Sequence, residues 1–309
     1  MKDSFETAAG NQMNHGKITW RDCTSKKQYW PFRSSIIHYM AKNPSTAKCY
    51  LKMAQSCKYF FEANPFIIVS NLAYDLDDKS FALLCQNKWD ECDKKERKCC
   101  TKINLNNLLH KLWITETVDI DDQAYIPFIR TKIYRCEVTV LGIFNIKTVF
   151  DDFKRMTLFA KYVIIWDASI KYNDEKVVPL DKIIESLPNL KYLELGFVND
   201  SSMINTSTNI LKLQNLKNLE SVFFYYIPES LNIRDLSAFI KKYKEVEIII
   251  YFNENISNDY KNQLDALIDE IIESEVLGHF IAYRGQNEKK LKIMESRLKS
   301  DFKEDINDA

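Results

Sequence analysis

The chain has 309 residues, of which 46% are hydrophobic and 28% are charged, so it can bury the core of one large domain or two smaller ones. Its 43 basic residues balance its 43 acidic residues, and a net charge of zero gives no electrostatic footprint for nucleic acid or an anionic membrane. The six glycines form no glycine-rich phosphate-binding motif, and we expect no cofactor.

Residues 1–28 are polar and lack apolar periodicity, so we expect a disordered N-terminal tail. This stretch has no apolar run like that of a signal peptide, and the chain contains no window of about 18 apolar residues that would cross a membrane. The sequence therefore predicts an intracellular protein, cytoplasmic or nuclear, with reduced thiols.

Residues 29–65 predict a module of three short helices. Ser34 and Ser45 can cap the first two helices. The pairs Asn43-Pro44 and Asn64-Pro65 end the first and the third, because the residue before a proline is disfavoured in a helix. A module of this size rarely buries a sufficient core alone. We expect it to pack on the rest of the chain, or to dock a partner through a leftover apolar face.

Residues 66–102 are interpreted as a linker with capping helices. Four of the eight cysteines lie in this segment: Cys85, Cys92, Cys99 and Cys100. With His110 as a possible further ligand, they suggest a metal site. Zinc ligands, however, usually form pairs separated by two to four residues, whereas the gaps here are six residues long. We therefore expect buried or incidental thiols and no metal.

Residues 103–285 repeat an apolar strand followed by an amphipathic helix. Leu193 and Leu195 align with Val222 and Phe224 at an offset of 29 residues. A third copy follows at an offset of 27, and a weaker copy over 159–167 precedes the first by 28. The sequence also predicts strands over 112–117, 134–141 and 279–283, and helices over 180–187, 236–243 and 264–271. Residues 286–309 are charged and predict a helix or tail.

One strand and one helix in every 25–30 residues are typical of a leucine-rich-repeat solenoid, in which stacked units build one core and a curved parallel sheet. The alternative is a doubly wound α/β domain, which also alternates strands and helices. The repeated leucine spacing and the lack of glycine-rich turns favour the solenoid. The predicted fold class is therefore α/β: a short all-α module followed by a leucine-rich-repeat-like domain.

The two regions together resemble a known family. Residues 30–65, from Trp30-Pro31-Phe32 to Cys57-Lys58-Tyr59-Phe60, are similar to an F-box. The repeats, including 109–115, 132–136 and 180–191, resemble those of nematode F-box-like proteins with degenerate leucine-rich repeats. The resemblance implies a non-catalytic substrate receptor of an SCF-type cullin–RING ubiquitin ligase, whose F-box binds a Skp-type adaptor and whose repeats bind a target protein.

Carried over by position, the resemblance implies these adaptor-binding residues: Pro31, Ile36, Ile37, Leu51, Met53, Cys57 and Phe60. For the target protein, strand alternation gives a separate expectation. It sends half of the aromatic run over 223–226 to the exposed sheet face, which is the usual docking surface of a solenoid. Phe223 and Tyr225, with Tyr192 and Glu194 on the neighbouring strand, are the candidate target contacts.

Catalysis has weaker support in the sequence. The four histidines are scattered, and the acidic pair Asp151-Asp152 suits the first turn of a helix, where carboxylates complement the helix dipole. Two alternatives to the receptor remain open. One is a leucine-rich-repeat scaffold that has lost adaptor binding and uses its N-terminal helices as a cap. The other is an α/β enzyme with an unrecognised site.

Overall fold

A computed structural model of the chain describes residues 29–74, 81–85, 98–104, 107–197 and 217–298. The predicted tail over 1–28 lies outside these residues. The helices are α1 (Ser34–Lys42), α2 (Ala47–Ser56), α3 (Lys58–Ala63), α4 (Tyr125–Lys132), α5 (Phe150–Thr157), α6 (Leu180–Glu185), α7 (Ile233–Lys242), α8 (Asn258–Glu273) and α9 (Glu288–Ser296). The strands are β1 (Phe66–Tyr74), β2 (Phe81–Cys85), β3 (Thr101–Asn104), β4 (Lys111–Ile120), β5 (Ile133–Cys136), β6 (Val140–Phe144), β7 (Lys147–Val149), β8 (Tyr162–Trp166), β9 (Ser169–Lys171), β10 (Tyr192–Gly196), β11 (Ser221–Ile227), β12 (Glu247–Phe252) and β13 (His279–Ala282).

Eleven strands form one sheet in the order β13-β12-β11-β10-β8-β6-β4-β1-β2-β3, with β5 paired to β4. All of these pairings are parallel except those of β2 with β1 and with β3, which are antiparallel. A separate pair joins β7 to β9. The protein is therefore α/β with a mostly parallel central sheet, as the sequence predicts.

The strand order bears on the doubly wound alternative. From β1 to β13, the described parallel strands of the main path add to the sheet in chain order and always on the same side. A doubly wound sheet instead reverses its order at a switch point, where ligands bind. Along this path the described strands contain no such reversal.

The expectation for residues 66–102 was wrong. Within the described part of this segment the chain forms β1, β2 and the start of β3 rather than capping helices. The run Phe66–Tyr74 is apolar and β-branched over its first residues, and Phe66, Val69 and Leu72 are buried. This composition favours a buried strand over a surface helix. The sheet consequently begins before the predicted repeat boundary at 103.

The repeat registers are confirmed in part. Leu193 pairs with Val222, which is the predicted offset of 29. Val222 pairs with Ile248, an offset of 26 rather than 27, and Val163 pairs with Leu193, an offset of 30 rather than 28. The predicted strand over 134–141 divides into β5 and β6. A shift of one residue moves a side chain to the other face of the sheet, so register decides which residues are available to a partner.

The predicted helices over 180–187, 236–243 and 264–271 are all present, as α6, α7 and part of α8. Leu236, Phe239 and Ile240 on α7 are buried in the same core as the strand residues Leu193 and Leu195. The last helix, α9, is charged but buries Met294 in this core, so it is part of the fold rather than a tail. Among the described helices, none combines the length and apolar character that a membrane span requires.

The three-helix module is present, with two differences in its caps. Thr46, not Ser45, caps α2: its hydroxyl accepts a hydrogen bond from the Cys49 backbone N–H at 3.1 Å. Ser34 is the first residue of α1, and the preceding Arg33 makes no side-chain cap. Asn43 and Asn64 follow α1 and α3, as predicted from the prolines.

An aromatic joint, formed by Tyr50, Phe66, Trp113 and Tyr134, fixes the module to the sheet. Tyr50 of α2 stacks on Phe66 of β1, with ring centroids 3.8 Å apart, and Phe66 stacks on Tyr134 at 4.4 Å. Trp113 of β4 packs edge-on against Phe66. The Tyr50 hydroxyl donates to the Phe66 and Asn64 carbonyls, at 3.3 and 3.0 Å. The module therefore has a defined position on the first strands.

Candidate interaction surfaces and the cysteine cluster

The module divides the predicted adaptor-binding residues into two groups. Ile37 is only 3% exposed and packs with Phe60 and Ala41 in the module's own small core. Ile37 and Phe60 therefore hold the three helices together, which corrects the expectation that they face the adaptor. Met53 and Cys57 are half-buried beside this core.

The other predicted residues are on the surface. Ile36 is 45% exposed and Leu51 is 43% exposed, and Pro31 is also exposed. Tyr39 and Met40 lie three and four residues after Ile36, so all three lie on one side of α1, and both are exposed as well. We call Ile36, Tyr39 and Met40 the α1 stripe. The sequence interpretation missed Tyr39, although its helical spacing from Ile36 was a usable signal.

The four candidate target contacts do meet on one face of the sheet. Glu194 pairs with Phe223 in register, and Gly196 pairs with Tyr225. Because side chains alternate along a strand, Tyr192, Glu194, Phe223 and Tyr225 share one face. The Tyr192 and Phe223 rings lie 5.0 Å apart. Phe223, however, is only 3% exposed, so it supports this face from within rather than offering surface to a partner.

Glu194 is the polar centre of this face. Its carboxylate accepts one hydrogen bond from Trp166 Nε1 and one from the Tyr192 hydroxyl, each at 2.7 Å. Both donors are neutral groups carried on rigid aromatic side chains, and together they set the orientation of the carboxylate. Glu194 is half-buried, and the lone pairs that these two bonds leave unused can accept hydrogen bonds from a partner.

Trp166 and Tyr251 extend the face, and sequence reasoning did not select them. The Tyr225 ring lies 5.2 Å from the Trp166 ring and stacks on Tyr251 at the same separation with nearly parallel planes. Gly196 makes room for Trp166, because a Cβ at Gly196 would lie 2.5 Å from the indole. Together with Tyr192, Glu194 and Tyr225, these residues form what we call the aromatic face.

Three of the four cysteines noted in the sequence come together. The ligand atoms of Cys85, Cys99 and Cys100 all lie within 4.8 Å of one another, and the Cys85 and Cys99 sulfurs are 3.7 Å apart. Cys92 lies outside the described residues. His110 is not near this cluster. It directly precedes β4 and packs against Phe61 near the start of β1, whereas Cys85 pairs with a residue further along β1.

Burial lowers the pKa of His110, and the positive charge of Lys132 lowers it further. The imidazole therefore favours its neutral form and packs as a ring against Phe61. This environment gives His110 a structural role at the base of the module rather than a role as a ligand for the cysteines.

A cavity of about 710 Å³ lies between α4, β5 and α5. It contains carboxylates but no histidine, and the carboxylates are engaged. Asp152 accepts from Arg130, Asp151 pairs with Lys154, and Glu137 accepts from Trp113 Nε1 at 2.9 Å. The Lys154 ammonium holds the pKa of Asp151 below its usual value. A carboxylate whose pKa is lowered in this way is a poor general acid.

A smaller cavity of about 320 Å³ lies between α7 and α8, and His279 lines it from the sheet. Its one carboxylate, Glu270, accepts from Lys241 at 2.8 Å, and this contact lowers the pKa of Glu270. Neither cavity brings a free acid toward a histidine in the described part of the chain.

Comparisons with protein-family models, with curated proteins and with solved structures find no match. The resemblance to F-box-like proteins therefore stays a prediction from the residues, and the function has to be argued from the surfaces just described.

Proposed function

We propose that this protein is a non-catalytic substrate receptor of an SCF-type cullin–RING ubiquitin ligase. In this proposal the three-helix module is a divergent F-box that binds a Skp-type adaptor, and the sheet is a leucine-rich-repeat-like solenoid that binds a target protein. Such a subunit accelerates ubiquitin transfer by raising the effective concentration of a target lysine near the ligase.

The observation that carries the proposal is the α1 stripe on a module that precedes a sheet built in chain order. Ile36, Tyr39 and Met40 expose apolar surface although Ile37, one position away, is buried. A small helical module that uses one side for its own core and leaves another apolar side exposed has the form of a docking element.

The strand order supports the solenoid interpretation of the sheet. Stacked strand–helix units add neighbours in chain order and bury one continuous core, as β4, β6, β8, β10, β11, β12 and β13 do. The offset of 29 residues between β10 and β11 is within the range of a leucine-rich repeat.

For the target protein we propose the aromatic face. Tyrosine and tryptophan are enriched among residues that dominate binding energies, because they bring a large apolar area at low entropic cost together with a hydrogen-bonding group. The half-buried Glu194 carboxylate adds a negative acceptor on this face, which suits a donor-bearing or basic segment of a target.

The adaptor interface is tested with the full-length chain and a purified Skp-type adaptor. We expect Leu51→Asp and Ile36→Asp each to weaken adaptor binding at least about tenfold, because a charge replaces an exposed apolar anchor. The matched control is Leu277→Asp, which makes the same change at an exposed leucine beside β13, far from the module. It should leave adaptor binding unchanged.

Thermal unfolding of all four proteins is the accompanying readout, and we expect similar midpoints because the substituted side chains are exposed. A wild-type chain that fails to bind the adaptor contradicts the proposal. Unchanged binding by both Leu51→Asp and Ile36→Asp contradicts the assigned interface.

A second candidate function is a protein-binding scaffold in which the module serves only as the cap of the sheet. The aromatic joint favours it, since Tyr50, Phe66 and Trp113 bind the module to the first strands as a cap requires. A wild-type chain that folds but does not bind the adaptor selects this function.

A further inference from the structure

We propose that Cys85, Cys99 and Cys100 form a zinc site that holds the β2–β3 hairpin at the edge of the sheet. This inference is independent of the ubiquitin-ligase proposal. It concerns a side-chain cluster on β2 and β3, on the other side of β1 from the strands that carry the aromatic face.

The hairpin topology brings the three thiols together. Cys85 is the last residue of β2, and Cys99 and Cys100 come directly before β3. The two strands are antiparallel, with Leu84 opposite Thr101, so the end of one strand meets the start of the other. Cys85 and Cys99 are 14 positions apart in the chain but are neighbours in space. A rule based on the spacing of successive cysteines in the sequence does not detect this proximity.

The distances suit a tetrahedral metal ion. Two thiolates bound to one zinc ion at about 2.3 Å lie about 3.8 Å apart. The Cys85 and Cys99 sulfurs are 3.7 Å apart, and all three ligand atoms lie within 4.8 Å of one another. The Cys85–Cys99 separation is too long for a bond between the sulfurs, which would be about 2.05 Å.

The chemistry of the donor set selects the metal. Three sulfur ligands favour a thiophilic ion such as Zn²⁺ over magnesium or calcium, which prefer oxygen. Each thiol gives up its proton to solvent as it binds, so metal binding releases protons and strengthens as the pH rises. A fourth ligand, water or a further side chain, completes the tetrahedron.

The burial of the cluster suits a structural site. Cys85 is only 1% exposed, whereas Cys99 and Cys100 are half-buried, so an ion can enter from one side and is shielded on the other. The site also has a clear structural purpose, because β3 is an edge strand of four residues whose first two residues are exposed. A metal that joins Cys85 to Cys99 and Cys100 holds this short edge strand in register.

The test uses the full-length chain, purified under reducing conditions with a tag that does not bind metal, and elemental analysis of bound zinc. We expect about one zinc ion per chain in the wild type. The Cys99→Ser/Cys100→Ser variant should lose it, with the Kd for Zn²⁺ raised at least about tenfold, since even the loss of a supporting group around a metal has effects of that size. Cys49→Ser, the matched control on α2, should retain zinc.

A second measurement requires no variant and so does not depend on the folding of one. The wild type is stripped of metal and titrated with Co²⁺ alone. Thiolate coordination gives a sulfur-to-cobalt charge-transfer band, and we expect this band to saturate at one equivalent and to disappear when Zn²⁺ is added. Absence of the band, or equal zinc contents in the wild type and the double variant, overturns the proposal.

Discussion

The aromatic joint between the module and the sheet makes a sharp prediction for Tyr50→Phe. Tyr50 is 2% exposed, and its hydroxyl donates to the Asn64 and Phe66 carbonyls. The substitution removes this hydrogen bond and keeps the ring that stacks on Phe66. Near neutral pH we expect the free energy of unfolding to fall by about 1 kcal/mol, the usual net value of one such bond.

The effect should reverse in alkali. Burial raises the pKa of Tyr50 from 10.0 to about 12. The unfolded chain loses this proton above pH 10, whereas the folded protein holds it until about pH 12. Stability that is fully present below pH 10 is therefore lost as the pH rises between these values, by roughly 1.4 kcal/mol per pH unit. Tyr50→Phe has no such proton to lose, so the variant should become the more stable protein near pH 11.

Urea unfolding curves of both proteins at pH 7, 9, 10 and 11 measure this difference. Burial also raises the pKa values of Cys136 and Tyr260, but these groups are common to both proteins and cancel in the comparison. The control is Tyr39→Phe, whose exposed side chain should change stability by less than about 0.5 kcal/mol. A stability difference that is constant from pH 7 to 11 would refute the assignment of a buried, hydrogen-bonded hydroxyl to Tyr50.

Two further predictions concern packing. Gly196→Ala places a Cβ 2.5 Å from the Trp166 indole, so we expect a loss of about 1–3 kcal/mol in urea unfolding and altered tryptophan fluorescence. Adding Trp166→Leu should recover part of this loss, and strict additivity would contradict the clash. Ile37→Asp buries an unpaired charge in the module core, and we expect at least about 4 kcal/mol of destabilisation of the module by hydrogen exchange. An intact module in Ile37→Asp would contradict the assignment of Ile37 to that core.

The sequence predicted best where structure depends on neighbours along the chain. The helices α6 and α7 follow from apolar residues spaced at three and four positions, and the prolines after Asn43 and Asn64 end two helices at the predicted places. The offset of 29 between Leu193 and Val222 was also correct, because β10 and β11 carry the clearest copies of the repeat.

Prediction failed where a tertiary contact decides the outcome. Ile36 and Ile37 are the same residue type at adjacent positions, yet one is exposed and the other is buried, because the packing of α3 against α1 determines which side of α1 faces inward. Position in a family motif did not separate them. Phe223 was likewise expected at the surface, and only the structure reveals how deeply the aromatic face buries it.

The cysteines illustrate the same limit for a candidate site. A spacing rule compares ligands with their nearest neighbours in sequence, and it suits sites formed within one turn or knuckle. Here the antiparallel pairing of β2 with β3 closes the distance between Cys85 and Cys99, and the sequence had been interpreted as capping helices at this point. An incorrect secondary-structure assignment therefore removed the evidence for proximity.

The order of the strands also determines the distance between the three-helix module, proposed to bind the adaptor, and the aromatic face, proposed to bind the target. The module packs on β1 and β4, and the aromatic face is centred on β10, four strands away from β1 along the path β1-β4-β6-β8-β10. At about 4.8 Å per strand this is a separation of roughly 19 Å.

Because the aromatic joint fixes the module and one continuous core fixes the sheet, the two surfaces cannot approach each other freely. If the proposed function holds, a target on the aromatic face is therefore presented to the adaptor at a constant position, and only the target's own flexible segments sample the ubiquitin-charged enzyme. In the proposed receptor, the rigidity of Tyr50, Phe66 and Trp113 is thus part of how the effective concentration of a target lysine is set.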